Sequence, residues 1–163
     1  MTKLIILDRD GVINYDSDAY IKSPDEWHAI PGSLEAIAQL NKAGIKVAIA
    51  SNQSGVARGY FSEETLQKIH EKMSNELKKY TGHIDKIFYC PHGPNDNCDC
   101  RKPKPGLLLQ AFQYFNVKPE EAYFVGDSQS DIDAASAAGC DAILVNSHIT
   151  LLDFVTTLLG NTL

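Results

Sequence analysis

In Lys3-Leu4-Ile5-Ile6-Leu7-Asp8-Arg9-Asp10-Gly11 an unbroken apolar run, Leu4 to Leu7, turns within one residue to charge and a turn-former. Continuous apolar residues mark a strand buried on both faces, the environment of a parallel sheet covered by helices. The same shape recurs at Ile45–Ala50, Lys86–Tyr89, Ala122–Val125 and Ala142–Val145. Helical periods separate these runs. Ser33–Ala43 carries Leu34, Ile37, Ala38 and Leu40 on one stripe, and Glu63–Tyr80 carries Leu66, Ile69, Met73, Leu77 and Tyr80. Ser62 can cap the second helix, and Glu63 and Glu64 suit its positive end. Further helices are expected from Pro105, as first residue, through Phe115, then over Ser130–Ala138 and Leu151–Leu159. Strands alternating with helices predict an α/β fold: a doubly wound, mostly parallel, Rossmann-like sheet.

The 163 residues predict a single domain spanning 1–163. Hydrophobic residues make up 44% and charged residues 22%, the balance of a globular chain rather than a disordered one. No apolar run approaches the ~20 residues of a membrane span. The N-terminal run is too short for a signal peptide, so a cytoplasmic protein is expected. A net charge of −6 argues against non-specific binding to nucleic acid or to acidic membranes. No long apolar stripe is left unburied, which favours a monomer.

In parallel sheets ligands bind beyond the carboxyl ends of the strands. The residues there are strongly polar: Asp8-Arg9-Asp10-Gly11, Ser51-Asn52-Gln53-Ser54-Gly55, Cys90-Pro91-His92 with a loop continuing to Arg101-Lys102, and Gly126-Asp127-Ser128. Alone, Asp-x-Asp-Gly reads as a turn. With Asp127 at another strand end, three carboxylates converge on one edge and would repel each other unless a cation joins them. Mg²⁺ suits such a site, because it takes few protein oxygens and completes its shell with water and phosphate. An Asp carboxylate can attack phosphorus, and a second carboxyl can move the protons. A Ser hydroxyl and a Lys ammonium can stabilise a phosphoryl group in transfer.

On Leu7-Asp8-Arg9-Asp10-Gly11, Ser51-Asn52-Gln53, Lys102 and Gly126-Asp127-Ser128-x-x-Asp131, the chain resembles the haloacid dehalogenase-like phosphatase superfamily. The resemblance implies Asp8 as phosphoryl acceptor, Asp10 as general acid/base, and Ser51 and Lys102 as phosphoryl stabilisers. It implies Mg²⁺ held by Asp8, Asp127 and the backbone carbonyl of Asp10. Asp131 is either a support behind that site or a charge at a helix N-terminus.

Three of the four cysteines fall within one loop, as Cys90-x-His92-x₅-Cys98-x-Cys100. A Cys₃His set is typical of closed, structural zinc, with no open position for chemistry. Zinc would stiffen the loop that delivers Arg101 and Lys102. Cys140 reads as a small buried residue. The three arginines, Arg9, Arg58 and Arg101, all fall in loops at the carboxyl edge. Chance placement would explain this; so would substrate binding, since the guanidinium fork suits phosphate. Arg58 and Arg101 would then be free for a second anionic group, which argues for a bisphosphate.

The stretch Asp8–Gly44 already holds a loop and a helix, so no separate cap domain is expected. The roof should be the loops Asp16–Trp27 and Gly55–Phe61 with the zinc loop. Trp27 is either a substrate platform or a loop anchor. Within the superfamily, Asp8–Asn14, Ser51–Gly59 and Cys98–Gly106 are similar to D-glycero-D-manno-heptose-1,7-bisphosphate 7-phosphatases. That resemblance implies release of the 7-phosphate in bacterial heptose (lipopolysaccharide precursor) biosynthesis. It implies Arg101 in substrate recognition and a pocket lined by Asp16–Ala19 and by Ser51, Asn52, Gln53 and Ser54. Ser128 stands where relatives often carry Lys, at a phosphate contact. The rivals are histidinol-phosphate phosphatase, whose cationic amine fits Arg58 and Arg101 poorly, and a non-catalytic zinc-containing binding module.

Overall fold

The computed structural model describes residues 1–160; the last three residues of the expected 1–163 domain lie outside the described residues. Its strands are β1 (Leu4–Leu7), β2 (Lys46–Asn52), β3 (Lys86–Cys90), β4 (Ala122–Gly126) and β5 (Asp141–Leu144). Its helices are α1 (Ser33–Lys42), α2 (Glu63–Lys78), α3 (Gly106–Phe115), α4 (Gln129–Ala138) and α5 (Leu151–Leu158). The strands form one parallel sheet in the order β3-β2-β1-β4-β5.

β1 is buried on both faces because its side chains feed two separate cores. Ile5 and Leu7 pack with Ile37 and Leu40 of α1, Ile69 and Met73 of α2, and Leu151 and Val155 of α5. Leu4 and Ile6 pack with Leu108 and Ala111 of α3 and Ala134 and Ala135 of α4. Helices therefore cover both sides, and the doubly wound expectation holds. Ser62 caps α2 as expected, its hydroxyl accepting the Thr65 N–H at 3.1 Å.

Differences lie at element ends. β2 continues past Ala50 because β3 runs to Cys90 and supplies partners, Ser51 to Tyr89 and Asn52 to Cys90. Ser51 thus sits on rigid strand rather than in the loop. Pro105 precedes α3 instead of opening it. β5 is only half-buried, as an edge strand with one neighbour. Among the described residues no helix is long and apolar enough to cross a membrane.

From β1 the chain moves outward to β2 and β3, then crosses back to β4. The adjacent carboxyl ends of β1 and β4 flank this reversal, which is where such sheets bind ligands.

Candidate active site

Asp8 leaves the tip of β1, its N–H bonded to the Val125 carbonyl of β4 at 2.9 Å. One carboxylate oxygen each from Asp8, Asp127 and Asp131 lie within 4.8 Å of one another. Two glycines permit this crowding. A Cβ on Gly11, whose φ is +86°, would collide with the Asp127 carboxylate, and one on Gly126 would collide with Asp131. Asp8 and Asp127, 119 positions apart by their numbers, thus meet at one point.

Lys102 enters from the zinc loop and is 4% exposed. Its Nζ lies 2.7 Å from Asp131 Oδ1, 3.0 Å from the Ala50 carbonyl and 3.1 Å from Asp8 Oδ1, one acceptor for each of its three protons. Asn52 pins the same residue: its amide accepts the Lys102 N–H at 3.0 Å and donates to the Lys102 carbonyl at 3.1 Å. Asn52 lines the cavity, but its side chain holds Lys102. Asp131 answers to both readings left open for it. Oδ1 grips Lys102, while Oδ2 accepts from the Asp127 and Ser128 N–H groups, at 3.1 and 3.2 Å, where α4 begins. The Ser128 hydroxyl is engaged with Asp131 Oδ2 at 3.0 Å.

The Ser51 hydroxyl accepts from Gln53 Nε2 at 2.8 Å, which orients it, and its own proton is held only by a long 3.5 Å contact to the Asn52 carbonyl. Asp10 Oδ1 accepts from Arg9 Nε at 2.8 Å and from Asn14 Nδ2 at 3.0 Å. The placement of Arg9 corrects the sequence expectation. Its guanidinium does not reach the surface; it is 0% exposed and bonded to Asp10, with Nη1 3.1 Å from His70 Nε2 on α2. Asn14 and His70 escaped sequence reading. His70 did leave a trace, as a polar residue on the buried α2 stripe with Leu66, Met73 and Leu77.

The electrostatics separate the two β1-loop carboxyls. Burial pushes Asp8 up to about 8; Lys102 opposes this, while Asp131, Asp10 and Asp127 add to it. Burial, then Asp131 and Asp16, push Asp127 up to about 6. Burial acts on Asp10 too, but the Arg9 charge and the hydrogen bonds from Arg9 and Asn14 outweigh it and hold Asp10 below the usual carboxylate range. Divergent environments of this kind suit different acid–base roles. Ionised, Asp8, Asp127 and Asp131 with Lys102 carry two net negative charges, which one Mg²⁺ would neutralise.

These groups floor a cavity of about 250 Å³ walled by Asp16, Asp18 and Tyr20 on one side and Ser128 and Ser130 on the other. Besides Arg9, three expected substrate contacts stand outside its lining. Ser54 is buried, its carbonyl accepting the Arg58 N–H at 3.0 Å. Arg58 is exposed, 5.9 Å from the centre of the Tyr20 ring that lines the cavity. Arg101 donates to the His92 carbonyl at 3.3 Å and walls a second cavity of about 280 Å³, which shares Lys102 with the first. A larger groove of about 760 Å³ between α2 and β3 holds none of the carboxylate cluster. Trp27 is 1% exposed, a loop anchor rather than a platform, and Cys140 is a buried free thiol.

The zinc loop closes as its spacing predicts. Cys90, His92, Cys98 and Cys100 bring one donor atom each within 4.8 Å of the others. His92 Nδ1 lies 3.4 Å from the sulfurs of Cys90 and Cys100, and Cys90 Sγ 3.6 Å from Cys98 Sγ. Zinc–sulfur bonds of about 2.3 Å imply tetrahedral sulfur–sulfur edges of about 3.8 Å. The Cys90–Cys100 edge is tighter, at 2.7 Å. The donor set fits zinc and uses every tetrahedral position.

A haloacid dehalogenase-like hydrolase model matches residues 2–139. The chain belongs to this family. It is 54% identical over 145 residues to the D-glycero-β-D-manno-heptose-1,7-bisphosphate 7-phosphatase of Pseudomonas putida, covering 89% of this chain and 83% of the relative. The enzyme of the same name from Bordetella bronchiseptica is also 54% identical, over 89% of this chain and 81% of its own length. A crystal structure of the B. bronchiseptica D,D-heptose 1,7-bisphosphate phosphatase, complexed with magnesium and phosphate, superposes with a TM-score of 0.94. It is 46% identical and covers 99% of this chain and 100% of that one.

Proposed function

We propose that this chain is a Mg²⁺-dependent phosphomonoester hydrolase that removes the 7-phosphate of D-glycero-D-manno-heptose 1,7-bisphosphate. The observation that carries the reading is the meeting of Asp8 and Asp127 at the β1/β4 carboxyl ends, with Lys102 against Asp8. The sugar bisphosphate is supported by the names of the relatives aligned over nearly the whole chain.

An Asp8 oxygen attacks the 7-phosphorus while the bond from phosphorus to the sugar oxygen breaks. Asp8 sheds its proton as it ionises for attack; Asp10, itself ionised at rest, takes that proton up and gives it to the leaving oxygen. Asp10 then takes a proton from the water that attacks the aspartyl phosphate, which releases inorganic phosphate and restores Asp8. Lys102 and the Ser51 hydroxyl stabilise the phosphoryl oxygens, and Gln53 aims that hydroxyl. Asp8, Asp127 and the Asp10 carbonyl would hold Mg²⁺, which supplies the charge that ionises Asp8 and draws in phosphate oxygens. Asp16, Asn52 and Ser128 border the sugar-phosphate, and Arg58 and Arg101 serve the second phosphate. Zinc on Cys90, His92, Cys98 and Cys100 keeps the Lys102 segment in shape.

The chain works as one domain and as a monomer in the cytoplasm. Four unpaired cysteines and singly placed exposed apolar residues support this. The test is phosphate release from heptose 1,7-bisphosphate, fructose 1,6-bisphosphate and histidinol phosphate, with and without Mg²⁺. Preference for histidinol phosphate, or no release from any, would sink the reading. Arg58→Ala should reduce turnover of the heptose bisphosphate more than that of a simple monophosphate; equal losses would remove the second-phosphate role.

A further inference from the structure

No α2 residue is among those lining the cavity of about 250 Å³, yet α2 touches the acid/base machinery through one side chain. Arg9 is 0% exposed, and among the described residues its carboxylate partner is Asp10. Its three nitrogens have different surroundings. Nε donates to Asp10 Oδ1 at 2.8 Å, Nη1 faces His70 Nε2 at 3.1 Å, and Nη2 is buried without a partner. A guanidinium only donates, so His70 Nε2 must accept and the ring proton must sit on Nδ1. Burial and the Arg9 charge both disfavour a protonated ring, pushing His70 down to about 3. The imidazole is therefore a neutral, permanent acceptor.

The Arg9 guanidinium is planar, so fixing Nη1 also fixes the direction of Nε–H. That hydrogen bond, with the one from Asn14, occupies Asp10 Oδ1 and sets which way the rest of the carboxyl faces. We propose that His70 is a positioning residue: it anchors Arg9, and Arg9 in turn aims the Asp10 carboxyl that exchanges protons with leaving group and water. The proposal rests on the phosphatase reading of Asp10.

The experiment compares His70→Leu, which refills the space without an acceptor, with His70→Gln, whose amide oxygen can accept near the Nε2 position. Turnover of the heptose bisphosphate is measured beside the ¹H–¹⁵N signal of Arg9 Nε–H. His70→Leu should lower kcat about tenfold, a fraction of the ~10²–10⁴ that general acid–base catalysis contributes, leave KM within about twofold, and broaden the Arg9 signal. His70→Gln should keep kcat within about threefold and retain the signal. Equal losses in the two variants, or a loss falling on KM, would mean that His70 only fills space and would overturn the proposal. Should His70→Leu fail to fold, His70→Met supports the same comparison. A wild-type protein that releases no phosphate would defeat the phosphatase reading, while the Arg9 signal in the variants would still decide whether His70 anchors Arg9.

Discussion

Asp131→Ala tests whether the buried ion pair behind Asp8 holds the site together. Asp131 and Lys102 side chains are 2% and 3% exposed and lie 2.7 Å apart. Removing one partner of a buried pair typically costs about 3–5 kcal/mol, because the other charge is left without compensation. Losing the carboxylate that receives two N–H groups at the start of α4 adds about 1 kcal/mol. Two effects oppose these. Asp8 still lies 3.1 Å from Lys102, and the repulsion of Asp131 on Asp8 and Asp127 disappears. The net loss should sit near the lower end, about 3 kcal/mol. For a chain of this size that is a fall of about 6–12 °C in Tm. The assay is thermal unfolding followed by near-ultraviolet circular dichroism with Mg²⁺ in excess, so that carboxylate repulsion is already quenched. Turnover should fall as well, since Lys102 loses its tightest contact. A variant that melts within about 2 °C of wild type and keeps its kcat would refute the assignment of Lys102 to this clamp.

Asp8→Asn should abolish phosphate release and melt no lower than wild type, because the side chain removed is a desolvated carboxyl among like charges; residual turnover after rigorous purification would deny it the nucleophile's role. Asp8 and Asp127 have native pKa values of about 8 and about 6, raised above the ~3.9 of an unfolded Asp. Between those limits the native state holds more protons than the unfolded one, so stability of the Mg²⁺-free protein falls as pH rises from about 4 toward about 8. Mg²⁺ must displace those protons, so the Tm gain on adding Mg²⁺ should be larger at pH 8 than at pH 5; a gain independent of pH would contradict carboxylate ligation. Elemental analysis should find about one zinc per chain, following the four-ligand count. Stripping zinc should reduce kcat, because Lys102 lies two residues beyond Cys100; full activity in zinc-free protein would detach the loop from catalysis.

The sheet was legible because each strand is an apolar run ending abruptly in polar residues, and β1 keeps all four of its side chains buried. Asp8, Asp10, Ser51, Lys102 and Asp127 were legible for the same reason, since a parallel sheet gathers its carboxyl ends on one edge. Cys90, His92, Cys98 and Cys100 were legible because metal-ligand spacing within one loop is local.

The arginines were not legible. A loop position says which edge a residue belongs to, not which way its side chain turns. Arg9, flanked by Asp8 and Asp10, turns inward beneath the sheet edge, whereas Arg58 turns out beside Tyr20. His70 is 61 positions from Arg9 and reaches it only because α2 packs over β1. The grip of Asn52 on Lys102 likewise joins residues 50 positions apart. Local sequence thus determined the elements and the chemical types at their ends, because hydrophobic period and turn chemistry act over a few residues. Which carboxylate shares a point with which cation, and which guanidinium is buried and which exposed, was decided only when distant segments packed, because hydrogen bonds and burial depend on separations in space.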